Sequence, residues 1–339
     1  MASSQLNSTW LRAHHYVVRI LASCLIVVAA VGLAAQTPPS RTVTKADIDR
    51  WMTELSNWGR WGSGDEMGTV NLITPARRKA AAALVTEGFS VSLSRDTDSV
   101  AGPDNGTPFV HKMSDPVAGE FNMDEYDISF HGFAYTHFDA LSHVFYQDKM
   151  YNGFPTSTVT KAGAGRLAVT AYRDGIIGRG VIVDIPRLKG VPYLDGSTAV
   201  YPEDLDAWEK STGVKIGAGD IVFVRTGRWA RRAAKGAWDP GAESSGLYAS
   251  SARWLKARDV AVFGSDTSGD VRPAPVPGVE FPIHRLLLVA MGTPMFDQCD
   301  LEAVSAAAAT RRRWTFLVTA APIRAVGGTG GPVNIVATF

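Results

Sequence analysis

Apolar residues in the C-terminal half of the chain fall into short runs that alternate with segments of helical spacing. The apolar runs, rich in β-branched residues, occupy residues 180–185, 220–226, 260–265 and 314–320. The helical segments between and after them occupy residues 202–212, 249–258, 282–291 and 300–309. Short apolar runs separated by helices are typical of buried strands in a protein whose helices cover the sheet. The pattern therefore predicts an α/β fold.

The pattern is less regular in the N-terminal half. A helix is predicted at residues 45–55, and another begins with the cap Thr74 and Pro75 and ends at Gly88. Residues 89–93 alternate like a strand, whereas residues 96–127 are rich in Asp, Gly and Pro and predict a long connection at a cleft rim or an oligomer contact.

The N-terminus has the pattern of a secretory signal peptide. Arg12 and, directly before it, Arg19 precede an apolar segment of 16 residues, 20–35, which is followed by polar residues. A membrane span needs about 20 apolar residues, so the length favours cleavage near Ala35 over a retained anchor. We expect residues 1–35 to be removed, residues 36–44 to form a linker, and residues 45–339 to form a single domain in the periplasm or outside the cell.

Composition and charge narrow the class of protein. The 339 residues are 45% apolar and 20% charged, with a formal net charge of +1. These values are ordinary for a globular protein, and the scattered Lys and Arg residues argue against nucleic acid or an anionic membrane as partner. We expect a small-molecule substrate, no membrane contact after signal cleavage, and a homo-oligomer, either a dimer or a tetramer. Only Cys24 and Cys299 exist, so the mature chain has no internal disulfide.

Candidate chemistry is concentrated in the stretch FHGFAYTHFDALSHVFYQDKMYN, residues 130–152. Three of the seven histidines, His131, His137 and His143, fall within thirteen residues. In a strand, His137 and Asp139 share a face about 7 Å apart, and the turn after Asp139 lets His143 return to the same point. An imidazole and a carboxylate on one face suit a divalent ion such as Zn, Mn or Fe. The stretch therefore predicts a metal site.

The segment THFDALSH resembles the H-x-G-T-H-x-D-x-P-x-H signature of the cyclase-like metal-dependent hydrolases, a family that includes bacterial kynurenine formamidase and isatin hydrolase. The continuation VFYQDKMYNG resembles the longer branch of that family, and the likeness extends from the WGRWGSGDEMGTVNLIT segment near Trp58 to the C-terminus. The resemblance implies the swivelling β/β/α fold in a single domain.

The resemblance also implies roles for individual residues. It implies that His137 and Asp139 bind metal and that His143 donates and accepts protons. His284, on a predicted helix, and a later carboxylate, here Asp297, match the residues that bind a second ion in dinuclear members.

One position departs from the family pattern. Phe133 stands where the family has its first motif histidine, and a phenyl ring cannot bind metal. Either His131, one pleat earlier in an extended strand, replaces it, or the site holds a single ion. The sequence favours one ion, Mn or Zn.

These residues predict a metal-dependent hydrolase that opens or cleaves an amide or a lactone, such as a cyclic amide or an N-formyl aromatic compound. His143 would serve as the proton shuttle, and Ser268 or Thr267 as the donor to the oxyanion, although Ser268 also suits a turn beside Gly269. The Gly-rich loop with Trp58 and Trp61 is either a lid over an apolar substrate or a packing plug.

Two aromatic residues, Trp61 and Phe133, are expected to contact the substrate. Two other function classes remain open from the sequence. One is a metal-dependent cyclase or dehydratase that polarises a carbonyl without hydrolysis, and the other is a non-catalytic periplasmic binding protein for a small molecule.

Overall fold

A mixed sheet of nine strands runs through the part of the chain that the structure, a computed structural model, describes, residues 42–339. The strands of these residues are β1 Ser90–Ser92, β2 Val110–Met113, β3 Asp124–Asp127, β4 His137–Asp139, β5 Val159–Thr160, β6 Gly163–Ala164, β7 Ile176–Asp184, β8 Ala199–Val200, β9 Ile221–Arg225, β10 Gly246–Leu247, β11 Val262–Ser265, β12 Met295–Asp297, β13 Thr315–Ala320, β14 Gly330–Pro332 and β15 Ile335–Thr338. The order of the strands in the nine-stranded sheet is β1-β15-β13-β7-β9-β11-β12-β4-β14.

Helices connect and cover the strands of this sheet. They are α1 Lys45–Glu54, α2 Pro75–Ala82, α3 Ile185–Lys189, α4 Pro202–Thr212, α5 Arg228–Lys235, α6 Ser251–Ala257, α7 Pro282–His284, which continues as a π-helix over Arg285–Met291, and α8 Glu302–Arg311. Four 3₁₀ turns span Gly68–Leu72, Tyr151–Gly153, Thr156–Thr158 and Val169–Tyr172. Within residues 42–339, no helix has the length and apolarity to cross a membrane.

The core lies around the parallel strands β7, β9, β11 and β12. Strands β9, β11 and β12 are buried along their whole length, as the apolar runs predict for β9 and β11, because helices cover such strands on both faces. Residues 43–339 form one compact unit. The predicted α/β alternation is confirmed, and each predicted strand of the C-terminal half overlaps an observed one.

Two N-terminal predictions differ from the structure. The helix that begins at Pro75 ends at Ala82 rather than at Gly88. Beyond the end of that helix, Arg313, in the connection between α8 and β13, donates hydrogen bonds to the Leu84 carbonyl and the Thr86 hydroxyl, so contacts with a segment distant in sequence replace the last helical turns. The connection predicted at residues 96–127 contains the hairpin β2–β3, whose residues are all exposed.

The predicted signal peptide, residues 1–35, lies outside the described residues, as does the predicted linker as far as residue 41. The last linker residues, 42–44, precede α1, and Thr44 caps that helix by accepting a hydrogen bond from the Asp47 backbone amide.

Strand β4 carries the predicted metal residues and lies between two antiparallel neighbours. On one side β12 places Asp297 opposite His137, and on the other β14 places Gly330 opposite Asp139. Gly330 is required for this approach, because a Cβ atom there would lie 2.2 Å from the Phe138 carbonyl oxygen. Residues 327–329, which precede β14, also lie next to β4, since the Ala140 backbone amide donates a 3.0 Å hydrogen bond to the Thr329 carbonyl.

Candidate metal centre

The carboxylate of Asp139 lies at the centre of a cluster of four imidazoles. Asp139 is 0% exposed. One of its oxygens, Oδ1, lies 3.1 Å from His131 Nδ1 and 3.5 Å from His137 Nε2. The other, Oδ2, lies 3.7 Å from His284 Nε2 and 3.9 Å from His143 Nε2. Residues more than 140 positions apart in sequence thus converge on one buried carboxylate.

Two of the imidazoles are oriented by hydrogen bonds on the side away from Asp139. His137 Nδ1 lies 2.8 Å from the Tyr135 carbonyl oxygen, and His284 Nδ1 lies 2.7 Å from Asp270 Oδ2. A carbonyl or carboxylate oxygen only accepts hydrogen bonds, so each Nδ1 carries the proton. With the proton on Nδ1, the Nε2 atom faces the cluster, and in the neutral form of the ring it offers a lone pair, as metal-binding histidines do.

The other two imidazoles form a stacked pair with different anchoring. The rings of His131 and His143 have centroids 4.0 Å apart. His131 Nε2 lies 3.1 Å from the Thr329 hydroxyl, so its Nδ1 faces Asp139. Among residues 42–339, no hydrogen bond holds either nitrogen of His143, whose side chain is 29% exposed. His143 is therefore the least constrained ring of the cluster.

A second carboxylate, Asp297, completes the donor set. Its Oδ2 lies 3.3 Å from His284 Nε2, and it faces His137 across the β12–β4 pairing. Two groups of donor atoms are compact enough to hold an ion, each within 4.8 Å: His131, Asp139 and His143, and His137, Asp139 and Asp297. Asp139 belongs to both.

The buried carboxylate oxygens of this cluster are suited to binding a divalent ion. Among residues 42–339, neither oxygen of Asp139 has a hydrogen-bond donor, nor does Oδ1 of Asp297, although all three are buried. A buried charge without a partner is costly, and a cation removes that cost. Imidazole nitrogen and carboxylate oxygen together are the donors that Zn, Mn and Fe accept. The donor set therefore fits a metal ion.

The charges of the cluster hold Asp139 ionised. Burial alone would raise the pKa of Asp139, but the four surrounding imidazoles, His143 and His137 foremost, outweigh it. The pKa of Asp139 therefore lies well below its usual value, and the carboxylate is available as a ligand. At Asp297, by contrast, burial outweighs the neighbouring histidines, and the pKa of that carboxyl is raised.

The two histidines nearest Oδ2 of Asp139 differ in charge. Burial lowers the pKa of His143 to about 4 against the opposing effect of Asp139. The other imidazoles of the cluster lower it too, so the charged form of His143 is disfavoured. Burial also acts to lower the pKa of His284, but Asp297, Asp139 and Asp270 raise it well above its usual value.

The structure brings His137, Asp139, His143 and His284 together, all four residues that the sequence nominated as ligands. The pleat argument for His131 and Phe133 is wrong, because β4 begins only at His137 and both residues lie in the preceding loop. His131 nonetheless reaches Asp139 through that loop.

Three further residues nominated for catalysis or substrate binding have different surroundings. Ser268 is buried, and its hydroxyl has no hydrogen-bond partner in the described part of the chain. The carbonyl of Phe133 accepts a hydrogen bond of 2.6 Å from Arg228. Trp61 lies on the glycine-rich loop with the Arg60 guanidinium 4.8 Å from its ring centroid.

Trp58, on the same loop as Trp61, has a packing contact. Its Nε1 donates a 2.7 Å hydrogen bond to the Val289 carbonyl, which ties the loop to the π-helix. This contact favours the packing-plug interpretation for Trp58. The predicted substrate contacts of Trp61 and Phe133 stay predictions.

Sequence reasoning missed Asp270, which orients His284 and also accepts hydrogen bonds from the backbone amides of Ile283 and His284. The sequence nominated the same segment, SDTSGD at residues 265–270, but for Ser268 as a donor to the oxyanion. The 14-residue separation between Asp270 and His284 carries no periodic signal.

A cavity of about 200 Å³ opens beside the cluster. His143 and His284 form part of its wall, and the rest comes from residues 144–145 and from Glu280, Phe281 and Arg285. A small molecule in this cavity has access to the imidazole of His143.

The chain matches a family model and several solved structures. The model, described as "Putative cyclase", matches residues 76–269. A crystal structure described as a novel cyclase is 28% identical, with a TM-score of 0.74, and the match covers 84% of this chain and 99% of that one. Isatin hydrolase A from Ralstonia solanacearum is 21% identical, with a TM-score of 0.56 and coverages of 78% and 97%.

Isatin hydrolase A from Labrenzia aggregata gives a similar match, with 21% identity, a TM-score of 0.53, and coverages of 76% of this chain and 94% of that one. No curated protein sequence matches the chain at a significant level. The likeness to the two isatin hydrolases establishes a shared fold.

Proposed function

Because this chain belongs to the Cyclase family, as its sequence predicted, we propose that it is a metal-dependent hydrolase that opens a cyclic amide or lactone or cleaves a linear amide such as an N-formyl aromatic compound. The observation that carries the proposal is the buried Asp139 carboxylate, which has no hydrogen-bond donor on either oxygen and four imidazoles around it. Proteins of the same fold named isatin hydrolases make hydrolysis the reaction class to test first.

The residues proposed to hold the ion are Asp139 and three histidines whose anchored rings face it, His131, His137 and His284. Asp297 lies close enough to His284 to add a fifth donor. We propose one ion, Mn²⁺ or Zn²⁺, in keeping with the nitrogen and oxygen donors. When bound, such an ion supplies a Lewis acid for the substrate carbonyl and lowers the pKa of water.

His143 is the proposed proton shuttle. Its pKa of about 4 leaves the imidazole neutral at pH 7, so it is able to accept a proton. It borders the cavity, and no hydrogen bond to the described residues holds its ring. We propose that it takes a proton from the attacking water and returns it to the leaving nitrogen or oxygen.

Ser268 is the proposed donor to the oxyanion. It lies two residues before Asp270, which holds His284, and its hydroxyl is buried without a partner. The loop is fixed by the Leu247 backbone amide, which donates a 2.7 Å hydrogen bond to the Gly269 carbonyl. A hydroxyl held in place and free of other partners is able to stabilise developing negative charge.

A homo-oligomer remains part of the proposal. The hairpin β2–β3 and its tip expose large apolar side chains, including Met113, Phe121 and Met123. An isolated two-stranded hairpin is only marginally stable in water, so its burial against another copy would stabilise it. Light scattering of the purified protein measures the oligomeric state directly, and a monomer at all concentrations would exclude this part.

The test of the function combines metal analysis with an assay panel. The panel contains cyclic amides, lactones and N-formyl aromatics, each with added Mn²⁺ or Zn²⁺. We expect hydrolysis of at least one compound by the wild type and loss of both metal and activity in Asp139→Ala. Ring formation from an open-chain acid would favour a cyclase instead, and bound metal without any turnover would favour a binding protein.

A further inference from the structure

The cavity beside the metal cluster has a wall that the proposed reaction does not use. Two phenyl rings line it, Phe145 and Phe281, and their residues are 46% and 38% exposed. The Phe281 ring meets the His284 imidazole edge to face, with centroids 5.6 Å apart. Aromatic side chains exposed in a recess next to a reaction centre are typical of a binding surface for a planar apolar group.

Arg285 lines the same cavity and has no anionic partner among residues 42–339. It follows His284 directly, and its guanidinium lies 5.3 Å from the centroid of the Tyr146 ring. Arg272, by comparison, has Glu280 at 3.5 Å. Arg285 thus brings a positive charge to the cavity that no ion pair of the described residues compensates.

The nearby carboxylates are already engaged elsewhere. Asp49 accepts hydrogen bonds from Lys45 at 2.5 Å and from the Tyr146 hydroxyl at 2.9 Å. The hydrogen bond from Lys45 is the main cause of the lowered pKa of Asp49, and the charge of Arg285 contributes least. Glu280 lines the cavity, but its side chain is 75% exposed and faces Arg272. Neither carboxylate neutralises Arg285.

We propose that Arg285 is an anion subsite and that the substrate is an aromatic compound bearing a carboxylate in addition to the carbonyl that reacts. The carboxylate pairs with the Arg285 guanidinium, and the aromatic ring packs against Phe145 and Phe281. A single guanidinium offers one planar pair of donors, which matches one carboxylate. This inference rests on the proposed hydrolase function and adds its substrate class.

Three formamides that differ only in the presence and position of a carboxylate test this proposal. They are N-formylaniline and its 3-carboxylate and 4-carboxylate derivatives. We expect the wild type to prefer a carboxylate derivative, and Arg285→Gln to reduce that preference, as the ratio of kcat/KM values, by about 10-fold to 100-fold, the scale of a hydrogen-bonded charge. The loss is expected mainly in KM, because the contact binds the substrate away from the reacting carbonyl.

The matched control is Arg253→Gln. Arg253 also stacks on an aromatic ring, with its guanidinium 5.4 Å from the Trp51 centroid, but it does not line the cavity. We expect it to keep the wild-type preference. A preference that is absent in the wild type, unchanged in Arg285→Gln, or equally reduced in Arg253→Gln overturns the proposal.

A binding measurement separates this inference from the proposed function. Benzoate is titrated calorimetrically into wild-type protein and into Asp139→Ala, in which the metal no longer offers a competing site for the carboxylate. We expect binding in both, weakened at least about tenfold by Arg285→Gln and less by Arg285→Lys, which keeps the charge but not the planar pair of donors. If no formamide is hydrolysed, the hydrolase proposal fails on its own, and the titration still decides whether Arg285 binds a carboxylate.

Discussion

The imidazole of His131 stacks on that of His143, with ring centroids 4.0 Å apart and planes inclined by 12°. The ring of His131 is anchored through Nε2, which lies 3.1 Å from the Thr329 hydroxyl, and its Nδ1 lies 3.1 Å from Asp139 Oδ1. His143 lies 3.9 Å from Asp139, and within the described residues no hydrogen bond fixes its ring. Two adjacent imidazoles thus differ in anchoring, and the difference suits a ligand beside a proton shuttle.

We expect His143→Ala to retain its metal while turnover falls by about 10²–10⁴-fold, the usual scale for loss of a general acid–base group. Because the pKa of His143 is lowered to about 4, the base is deprotonated above that pH and protonated below it. The kcat/KM of the wild type, at saturating metal, should therefore fall only as pH approaches 4, and this limb should vanish in the variant.

Metal content and kinetics of the same preparation check this prediction. His111→Ala is the control, since His111 lies on the exposed hairpin beside Asp124. Loss of metal together with activity in His143→Ala would instead make His143 a ligand beside His137 and Asp139.

His131→Ala should weaken metal binding, because the loop before β4 places the Nδ1 atom of this ring 3.1 Å from Asp139 Oδ1. Thr329→Val removes only the anchor of that ring and should weaken binding by about 10-fold to 100-fold, as loss of an outer hydrogen bond to a ligand does. Competition with a metal chelator measures both affinities. Full metal affinity in His131→Ala would exclude this histidine from the ligand set.

Asp270→Asn should lower metal affinity by about 10-fold to 100-fold without removing any donor atom, because Asp270 fixes the proton on His284 Nδ1. The control is Asp259→Asn, which breaks an ion pair with Arg60 that is remote in sequence from the cluster. The chelator titration applies here too, with thermal unfolding of the metal-free proteins as a check on folding. Equal affinities in the two variants would contradict the orienting role.

Metal binding should release a proton at pH 7. The pKa of His284 is raised well above its usual value in the metal-free protein, mainly by Asp297 against the effect of burial, so the ring is protonated and must lose its proton before it binds an ion. The affinity should therefore rise with pH below that pKa. Calorimetric titration in buffers of different ionisation enthalpy counts the protons released, and His284→Asn should release one fewer.

The mature protein should begin near Gln36, because the positive and apolar leader predicts export and cleavage after Ala35. N-terminal sequencing of protein isolated from a cell that exports it provides the measurement. A mature start at Met1 would show that the leader is retained, and a start at Cys24 would indicate a lipoprotein.

Several features of the fold and site could be predicted from the sequence because they depend on neighbouring residues. The alternation of side chains in a strand places His137 and Asp139 on one face whatever lies around them, and the observed β4 contains both. The helix Pro202–Thr212 was predicted with its exact bounds, since proline at its start and Gly213 after its end are local signals.

Other features depend on residues distant in sequence, and only the tertiary structure decided them. Pairing of β12 with β4 brings Asp297 opposite His137, and the loop after β11 brings Asp270 to His284. Neither contact leaves a periodic trace, because each joins separate segments through the sheet or a loop. The lowered pKa of His143 is likewise a property of the tertiary structure, since burial is its main cause. Local periodicity thus determined which residues could serve the site, and long-range packing determined their partners and charges.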